Sequence, residues 1–489
     1  MNLKDLVSTF PHPFKVKGTI DCMIQGLCCD SREINPGDLF IALRGGQEHD
    51  RHEFAGHAVE RGAIALVVEE PVNLEVPQLI VEDSRACLSH LAQKWYGDPA
   101  GKLINIGITG TNGKTTTAYL LYRLLELLGN PCGYLGTLGL YAGDSISVIG
   151  NTTPEADVLH RSLKTMVDEG KKFSSLEVSS HGLSLGRVDQ IRFSVGVFTN
   201  FSRDHIDFHN SMDNYFEAKA MLFDQLDKDA VAVLNFDDEK SHLLAERTEA
   251  QVIRYGQSSL ADIRLEEFEV KVDGMRLKII TPDGRYSFST KLTGGFNCEN
   301  ILAALSAGYG LGFNTKDMCE VISKIDAVPG RFERIDLGQD FHIIVDYAHT
   351  PDALNKLLKS VRAICTGRIL CVFGCGGDRD PGKRAPMGQV ADEFSDIAWI
   401  TSDNPRTEDP KKIVDEIIEG FGELEGFRVQ LDRVKAIREA LDEARQGDWV
   451  VIAGKGHESE QVLAQGVVEL DDRLVAKSLV SNSIKSLLS

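Results

Sequence analysis

Short apolar runs alternate with amphipathic stretches along most of the chain. Apolar runs of about four to eight residues bounded by turn formers are typical of buried strands, whereas an apolar residue every three or four positions is typical of a helix. The runs that we predict as strands are 38–43, 64–68, 78–81, 104–108, 173–178, 193–199, 230–235, 341–346, 368–373, 397–401 and 449–453. This alternation of strands and helices predicts largely parallel sheets covered by helices, which is the α/β class.

Two segments rich in turn-forming residues interrupt the alternation, at Tyr96–Gly101 and at Val328–Gly330. At about 150 residues per domain, a chain of 489 residues predicts about three domains. We predict a small N-terminal α/β domain, a central domain built on a parallel sheet, and a C-terminal Rossmann-like domain. The predicted ranges are 1–98, 99–330 and 331–489. A hairpin predicted over 268–280 would be an antiparallel appendage of the central domain.

The net charge of the chain limits the classes of partner that it can bind. Its 53 Lys and Arg residues against 73 Asp and Glu residues give a formal net charge of -20, which repels a nucleic-acid backbone. No apolar run approaches the about 18 residues of a membrane helix, and the N-terminus does not resemble an export signal. The ten cysteines contain no C-x-x-C pair and are interpreted as reduced thiols. We expect a cytoplasmic protein, monomeric by default, that binds neither nucleic acid nor membrane.

A glycine-rich segment after the strand at 104–108 is the strongest chemical signal. Glycines let backbone N–H groups turn towards phosphate oxygens, a helix N-terminus adds positive potential, a lysine supplies a cation, and a threonine hydroxyl can ligate Mg²⁺. The residues in these positions are Gly110, Thr111, Asn112, Gly113, Lys114, Thr115 and Thr116. The glycine that usually opens such a loop is replaced by Ile108, so the loop is a short variant.

The sequence of this loop allows two other interpretations. An ordinary strand-to-helix turn can carry the same letters, and a regulatory GTPase would need an Asn-Lys-x-Asp stretch for guanine, which the sequence does not contain. The strand before the loop and the helix after it favour a nucleotide site, and we predict ATP as the nucleotide. Glu177 ends another apolar strand, where a carboxylate faces a ligand at the carboxyl edge of the sheet.

Taken together, the motifs of the chain resemble the Mur ligases, ATP-dependent amide-forming enzymes of bacterial cell-wall synthesis. The segments that carry the resemblance, in order, are Asp30-Ser31-Arg32, Gly37-Asp38-Leu39-Phe40, Gly110 to Thr115, Asn151-Thr152-Thr153-Pro154, Glu177-Val178-Ser179-Ser180-His181-Gly182, Asn200-Phe201-Ser202-Arg203-Asp204-His205 and Asp346-Tyr347-Ala348-His349-Thr350-Pro351. The resemblance implies a UDP-binding N-terminal domain, a central P-loop ATPase-type domain and a C-terminal amino-acid-binding domain.

Within the family, Asp403-Asn404-Pro405-Arg406 resembles the pocket of members that add meso-diaminopimelate to UDP-N-acetylmuramoyl-L-alanyl-D-glutamate. Diaminopimelate differs from lysine by a distal carboxylate, which a guanidinium can grip through two charge-assisted hydrogen bonds. The residues that the resemblance assigns to this amino acid are Arg379, Asp403, Asn404, Pro405, Arg406, Gly454 and Glu458. Arg406 is the candidate for selecting diaminopimelate over lysine. Arg379 is expected to bind the other carboxylate, and Glu458 is expected to bind the distal ammonium. Alone, the tetrapeptide could be a turn before a helix that opens at Pro410.

The resemblance also implies a mechanism, in which ATP phosphorylates a carboxylate and an amine attacks the acyl phosphate. Two Mg²⁺ ions would assist, one on Thr115 and Glu177 and one on His205 and Lys219, with Lys219 modified to N6-carboxylysine. The implied catalytic residues are Lys114, Glu177, His205 and Lys219. From the sequence alone, Lys219 could be a solvated helix lysine and His205 a core or loop histidine.

Further contacts follow from the same resemblance. Those implied for ATP are Asn297, Asn300, Arg331 and Asp346, although Asn297 could instead cap a helix. Those implied for the UDP-muramoyl dipeptide are Cys29, Ser31, Gly46, Gln47, Asn151, Thr152, Thr153, Ser179, Leu185 and Arg187. Leu185 stands where the family usually has a polar residue. Because ATP would touch both the central and C-terminal domains, we expect closure on binding.

Three alternatives to this function stay open at the level of sequence. The first is the same reaction with L-lysine, and the second is a folylpolyglutamate synthase, which the N-terminal Asp30-Ser31-Arg32 segment disfavours. The third is a P-loop ATPase switch or binding module whose C-terminal domain docks a protein.

Overall fold

Three β-sheets, each covered by helices, follow one another along the chain. A computed structural model describes residues 1–45, 50–422 and 426–488. The contacts predicted for Gly46 and Gln47 lie outside the described residues. The α/β class with N-terminal, central and C-terminal parts is confirmed, and the boundaries after residues 98 and 330 stay predictions. Within the described part of the chain, no helix is long and apolar enough to cross a membrane.

The N-terminal part is a small, mostly parallel sheet. Its elements are α1 (Leu3–Val7), β1 (Phe14–Lys17), β2 (Gly26–Cys28), β3 (Asp38–Ile41), α2 (Ala55–Glu60), β4 (Ala65–Val68), β5 (Gln78–Val81) and α3 (Ser84–Trp95). The strand order is β1-β5-β4-β3-β2, with β1 antiparallel to β5. Helices α1 and α3 pack on one face, and α2 packs on the other. Asp83 caps α3 by accepting hydrogen bonds from two backbone amides, as aspartate commonly does at a helix start.

The central part contains the longest sheet. Its elements are β6 (Ile104–Thr109), α4 (Lys114–Leu127), β7 (Cys132–Gly136), β8 (Gly139–Tyr141), β9 (Ile146–Ser147), α5 (Ala156–Asp168), β10 (Phe173–Glu177), α6 (Ser180–Ser184), β11 (Phe193–Phe198), α7 (Ile206–His209), α8 (Met212–Asp224), β12 (Val231–Asn235), α9 (Lys240–Arg247), β13 (Gln251–Gly256), β14 (Ile263–Lys271), β15 (Gly274–Thr281), β16 (Gly284–Thr290), α10 (Asn297–Gly310) and α11 (Thr315–Ile322). The strand order is β16-β15-β14-β13-β12-β11-β6-β10-β7-β8-β9.

Helices cover both faces of this sheet, and its inner strands are parallel. Helices α4, α10 and α11 pack on one face, whereas α5, α8 and α9 pack on the other. The predicted hairpin is present as β14 and β15, but it extends the sheet because β14 pairs in parallel with β13. Strands β6, β10 and β11 lie side by side and parallel, so the loops after them meet at one edge.

The C-terminal part is a second parallel sheet with one antiparallel edge. Its elements are β17 (Glu333–Ile335), β18 (His342–Asp346), α12 (Pro351–Arg362), β19 (Ile369–Phe373), α13 (Arg384–Phe394), β20 (Ile397–Ile400), α14 (Pro410–Ile418), β21 (Phe427–Val429), α15 (Arg433–Glu443), β22 (Trp449–Ala453), β23 (Glu460–Leu463), β24 (Gly466–Glu469) and α16 (Asp472–Leu488). The sheet order is β17-β18-β22-β19-β20-β21, and β23 and β24 form a separate hairpin. The predicted strands of all three sheets are confirmed, with ends that differ by at most two residues.

His160, on α5, is a buried histidine without a hydrogen-bond partner. It is 0% exposed, and neither ring nitrogen bonds to another atom in the described ranges. Burial lowers the pKa of His160 to about 4, although the carboxylate of Asp98 acts in the opposite direction. The native imidazole is therefore neutral where an unfolded histidine, with a pKa of about 6.5, begins to bind a proton. The stability contributed by this neutral form is full above pH 6.5 and is lost as the pH falls towards 4.

We predict that His160→Leu makes the protein less sensitive to acid. At pH 5 the wild-type chain loses about 2 kcal/mol of unfolding free energy through this group, and the variant does not. Calorimetric unfolding midpoints at pH 7.5 and pH 5 measure the difference. The exposed His242, changed to leucine, is the matched control. An equal fall of the midpoint in the wild type and in His160→Leu would contradict the prediction.

Candidate active site

The loops at the carboxyl ends of the central and C-terminal sheets enclose one cavity of about 610 Å³. Loops after parallel strands commonly form such sites, because all the strand ends face the same way. The predicted site residues that line the cavity are Thr111, Asn112, Gly113, Lys114, Thr115, Thr116, Asn151, Thr152, Thr153, Glu177, Ser179, Arg187, His205, Lys219, Arg331, Arg379, Asp403, Asn404, Arg406, Gly454 and Glu458. Residues from both domains therefore contribute to one site.

The phosphate loop joins β6 to α4 as the sequence predicts. Gly113 has a φ of +84°, and a Cβ there would collide with the Asn300 side chain, so the loop needs glycine at this position. The Nζ of Lys114 donates to the carbonyls of Gly110 and Thr111, at 2.9 Å each. Burial lowers the pKa of Lys114. Helix α4 starts without a side-chain cap, which leaves its first amides available to an anion.

A buried carboxylate faces the start of α4. Glu177 ends β10, is 2% exposed, and accepts a hydrogen bond from the Thr115 hydroxyl at 2.8 Å. Its other oxygen accepts from the Tyr134 hydroxyl at 2.5 Å and from the Thr137 amide at 2.8 Å. Arg331 donates to Thr115 Oγ1 at 3.0 Å, so a cation already lies on this oxygen. A hydroxyl beside a carboxylate at a phosphate loop is a donor set that suits Mg²⁺.

Lys219 lies in the interior of the protein and not on its surface. It is 1% exposed on α8, its Nζ donates to the Gly110 carbonyl at 2.7 Å, and it lies 4.3 Å from the centre of the Tyr215 ring. Burial, and secondarily the charge of Lys114, lower the pKa of Lys219 well below its usual range. The interpretation of Lys219 as a solvated helix lysine is therefore wrong. Sequence periodicity missed this because the covering loops come from distant strands.

The loop before α7 carries the histidine predicted for the site. His205 has a φ of +52° and lines the cavity together with Asp204, whose Oδ2 is 3.3 Å from His205 Nε2. His209 is buried and bonds to the hydroxyl of Ser180 at 2.9 Å. Of these two histidines, only His205 lines the cavity. Within the described ranges, no three His, Cys, Asp or Glu side chains converge on a metal-sized site.

Two guanidinium groups of the C-terminal domain line the cavity. Arg406 has a φ of +51°, and its Nη1 donates to the Gly377 carbonyl at 2.7 Å. Arg379 also lines the cavity, and both arginines lie beside Gly376, where a Cβ would be 3.1 Å from Arg406 Nη1 and 3.9 Å from Arg379 Cγ. Partial burial and repulsion by Arg379 lower the pKa of Arg406. Two cations held this close form a site for carboxylate groups.

Acidic and amide groups line the cavity beside Arg406, which donates to the Asn404 carbonyl at 3.4 Å. Asn404 accepts from Lys455 Nζ at 3.1 Å and donates to Glu458 at 3.0 Å, and Lys455 also donates to Glu458 at 2.9 Å. Although burial acts to raise it, the pKa of Glu458 is held below its usual value by the ammonium of Lys455. The Oδ2 of Asp403 is buried and accepts no hydrogen bond in the described part of the chain. These oxygens are suited to accept from a ligand ammonium.

A buried arginine, Arg433, connects the strand ends that carry this pocket. Arg433 is fully buried and pairs with Asp472 at 2.7 Å. It also donates to the carbonyls of Ser402 and Ala453, at 3.4 and 2.9 Å, which directly precede two pocket residues. Gly454 is required for close approach, because it has a φ of +117° and a Cβ would lie 2.7 Å from Asp403 Oδ2. Burying a paired arginine here fixes the geometry of the pocket.

The residues predicted for adenosine lie beside the cavity and do not line it. Asn297 donates to the Thr293 carbonyl at 2.7 Å and accepts from Asn300 at 3.0 Å. Helix α10 begins at Asn297 without a side-chain cap, so the helix-cap interpretation of Asn297 is wrong. The carboxylate of Asp346 accepts from the amides of Phe332 and Ala348, at 2.6 and 2.8 Å. Gly110 and Pro405 also lie outside the lining.

The residues predicted for the UDP-muramoyl dipeptide divide between two domains. Thr153 accepts a hydrogen bond from the Ser179 amide at 2.9 Å, beside Asn151 and Thr152 on the cavity wall. Cys29 and Ser31 are buried in the N-terminal domain, and Leu185 is half-buried at the end of α6. None of these last three lines the cavity.

Some lining residues were not singled out from the sequence. The side chains concerned include those of Thr137, Tyr347, His349 and Lys383. Tyr347 and His349 belong to a motif segment quoted above, and their position after β18 was a usable signal. Lys383 lies on a short 3₁₀ helix, Pro381–Lys383, where no strand-end signal points to it.

The fold and the cavity define a class of protein, a three-domain α/β enzyme with a P-loop in its central domain and a cavity lined by its central and C-terminal domains. Three family matches cover most of the chain. Residues 23–96 match the catalytic domain of the Mur ligase family, 108–308 the Mur ligase middle domain, and 330–456 the Mur ligase glutamate ligase domain.

Curated and solved relatives agree with these matches. A Geobacillus thermodenitrificans protein named UDP-N-acetylmuramoyl-L-alanyl-D-glutamate--2,6-diaminopimelate ligase is 43% identical over 98% of this chain and 99% of its own. A Geobacillus kaustophilus protein of the same name is 44% identical over 94% of this chain and 95% of its own. A solved structure of that name has a TM-score of 0.67 and 31% identity over 99% of both chains. The chain belongs to the Mur ligase family.

Proposed function

We propose that this enzyme joins meso-diaminopimelate to UDP-N-acetylmuramoyl-L-alanyl-D-glutamate in peptidoglycan synthesis, with conversion of ATP to ADP and phosphate. The observation that carries the proposal is the pairing of Arg406 and Arg379 near Glu458, in a cavity that also contains a phosphate loop. An amino acid with a distal carboxylate and a distal ammonium matches these charges. The names of relatives at 43% and 44% identity agree with this substrate.

The reaction follows from the chemistry of a carboxylate. The oxygen of a carboxylate is a poor leaving group, so the γ-phosphoryl group of ATP is first transferred to it and gives an acyl phosphate. The amine nitrogen then attacks the carbonyl carbon, a C–N bond forms, the C–O bond to phosphate breaks, and the amine releases a proton. Bringing anions together requires fixed cations and donors more than a protein nucleophile.

The protein supplies these cations from both sides of the cavity. Lys114 and the amides at the start of α4 would hold the phosphates of ATP, with Arg331 reaching them from the C-terminal side. Adenosine would lie near Asn297, Asn300 and Asp346. Binding of ATP between two domains would draw them together and exclude water from the acyl phosphate.

We propose a site for Mg²⁺ on the hydroxyl of Thr115 and the carboxylate of Glu177, which lie 2.8 Å apart. Bound there with phosphate oxygens, the ion would neutralise the charge that develops on the transferred group. The ligands of a second Mg²⁺ ion would be His205 and Lys219, with Lys219 modified to N6-carboxylysine. The lowered pKa of Lys219 supports this modification, because the neutral amine is the form that adds to CO₂.

The UDP-sugar peptide would span the N-terminal and central domains. Ser31 and Cys29 are the candidates on the N-terminal side, whereas Thr152, Ser179 and Arg187 are those on the central side. A monomeric cytoplasmic enzyme, with no nucleic-acid or membrane partner, stays a prediction from the composition.

A coupled assay of ADP release tests the proposed function. We expect turnover only when UDP-N-acetylmuramoyl-L-alanyl-D-glutamate and meso-diaminopimelate are both present. Equal or faster turnover with L-lysine would contradict the amino-acid specificity. ATP hydrolysis that is indifferent to the muramoyl dipeptide would instead support a P-loop switch or binding module.

We predict that Arg406→Ala raises the KM for diaminopimelate by at least about tenfold, because a hydrogen bond to a charged group is lost. The KM for ATP should change by less than about threefold, since the hydrogen bonds of Arg406 are to carbonyls of the C-terminal domain and not to the phosphate loop. Initial-rate kinetics with each substrate varied measure both constants. Arg438→Ala, on the exposed face of α15, is the control. Unchanged amino-acid kinetics would remove Arg406 from the pocket.

We predict that Lys219→Ala is nearly inactive and is partly restored by added short carboxylates such as acetate. A small carboxylate can take the place of the carbamate, whereas an added amine cannot. The exposed Lys228, changed to alanine, is the control and should keep its activity without carboxylate. Full activity of Lys219→Ala in the absence of carboxylate would refute the carbamate role.

A further inference from the structure

The buried carboxylate of Glu155 forms ion pairs with three arginines at the junction of the N-terminal and central domains. Its side chain is 10% exposed. One oxygen lies 2.8 Å from Arg187 Nη2 and 3.8 Å from Arg51 Nη2, and the other lies 3.1 Å from Arg85 Nη1. Glu155, Arg51 and Arg85 lie outside the sequence motifs described above. The arginines are separated by 136 positions along the chain, from 51 to 187, so only folding brings them together.

The three arginines come from two domains. Arg51 opens a 3₁₀ helix, Arg51–Phe54, and Arg85 lies on α3, both in the N-terminal part. Arg187 follows α6 in the central part, and Glu155 directly precedes α5. The ion pairs of Glu155 therefore connect the two domains. Both domains contribute predicted contacts to the UDP-muramoyl dipeptide at this place.

Neighbouring contacts place the start of α5 on the N-terminal domain. Ala156 packs in the same apolar cluster as helices α1 and α3. Next along the chain, Asp157 accepts a hydrogen bond from the Cys29 thiol at 3.7 Å. Arg51 in turn donates to the Cys29 carbonyl at 2.7 Å. The junction is therefore built from apolar packing, hydrogen bonds and the Glu155 ion pairs together.

Glu155 also determines where the Arg187 guanidinium points. Arg187 Nη2 is held by Glu155 and Nη1 donates to the Thr153 carbonyl at 2.8 Å, while the same side chain lines the cavity. An arginine side chain loses considerable rotamer entropy when it is fixed, and here that cost is met before any ligand arrives. The side chain is thus preorganised beside Thr152 and Ser179.

The charge balance explains why a carboxylate is needed at this position. Three guanidinium groups around one carboxylate leave a net charge of about +2, in surroundings where charges are poorly screened. Without the carboxylate, three partly buried cations would repel each other and would separate. The remaining positive charge is of the sign that an anionic ligand requires.

We propose that Glu155 is a positioning residue for the UDP-sugar peptide: it aims Arg187 into the cavity and holds the N-terminal domain in register with the central domain. The proposal rests on the proposed function, because it concerns that substrate. Glu155 does not touch the phosphate loop or the amino-acid pocket. Removing this carboxylate should therefore weaken the binding of the UDP-sugar peptide and leave the binding of ATP and of the amino acid unchanged.

Glu155→Gln is the sharpest test. The amide has nearly the same shape, but it has one acceptor oxygen in place of two, and its NH₂ group would face a guanidinium. We expect the KM for UDP-N-acetylmuramoyl-L-alanyl-D-glutamate to rise by about tenfold or more, with the KM values for ATP and diaminopimelate within about twofold of the wild type. Glu155→Asp keeps the charge and should recover part of the loss.

Controls and outcomes separate this role from a merely structural one. Glu246→Gln, at an exposed position on α9, should leave all three KM values unchanged. Unchanged constants in Glu155→Gln, or a parallel rise of all three KM values, would overturn the positioning role. Absence of wild-type turnover with the UDP-sugar peptide would overturn the proposed function and this inference with it. Turnover by the wild type combined with unchanged Glu155→Gln kinetics overturns this inference alone.

Discussion

The hydrogen-bonded chain from Arg331 to Thr115 to Glu177 is the interaction on which the rest of the site depends. Arg331 follows the turn that separates the central and C-terminal sheets, Thr115 lies in the first turn of α4, and Glu177 ends β10. One hydroxyl thus connects the domain boundary, the phosphate loop and the carboxyl edge of the central sheet. Because the site residues lie at strand ends, a displacement of either sheet would separate groups that line the same cavity.

A protein with a net charge of -20 has to concentrate its cations to bind anions. The cavity does so with Lys114, Arg331, Arg379 and Arg406, drawn from four separate loops. Lys114, Arg331 and Arg406 are each restrained by a carbonyl or a hydroxyl of the protein. Long cationic side chains held in place in this way lose little freedom when a phosphate or carboxylate binds. The overall charge meanwhile disfavours unrelated polyanions.

The same principle operates at the N-terminal junction, with the opposite arrangement of charges. There a single carboxylate, Glu155, organises three arginines, whereas on the C-terminal side of the cavity Lys455 organises the acceptors Asn404 and Glu458. In both places a buried group outside the cavity lining fixes the direction of one that lines the cavity. Buried charge pairs of this kind add specificity of geometry more than net stability.

The strands, the phosphate loop and most of the residues that line the cavity were determined by the sequence. Apolar runs, glycines and the short motifs around Lys114 and Arg406 act through local geometry, so they can be interpreted one segment at a time. The tertiary structure alone decided that Lys219 is buried with a lowered pKa, that His205 and not His209 lines the cavity, and that Glu155 meets three arginines. Burial and charge pairing depend on which distant elements pack together, and neither leaves a periodic signal in the chain.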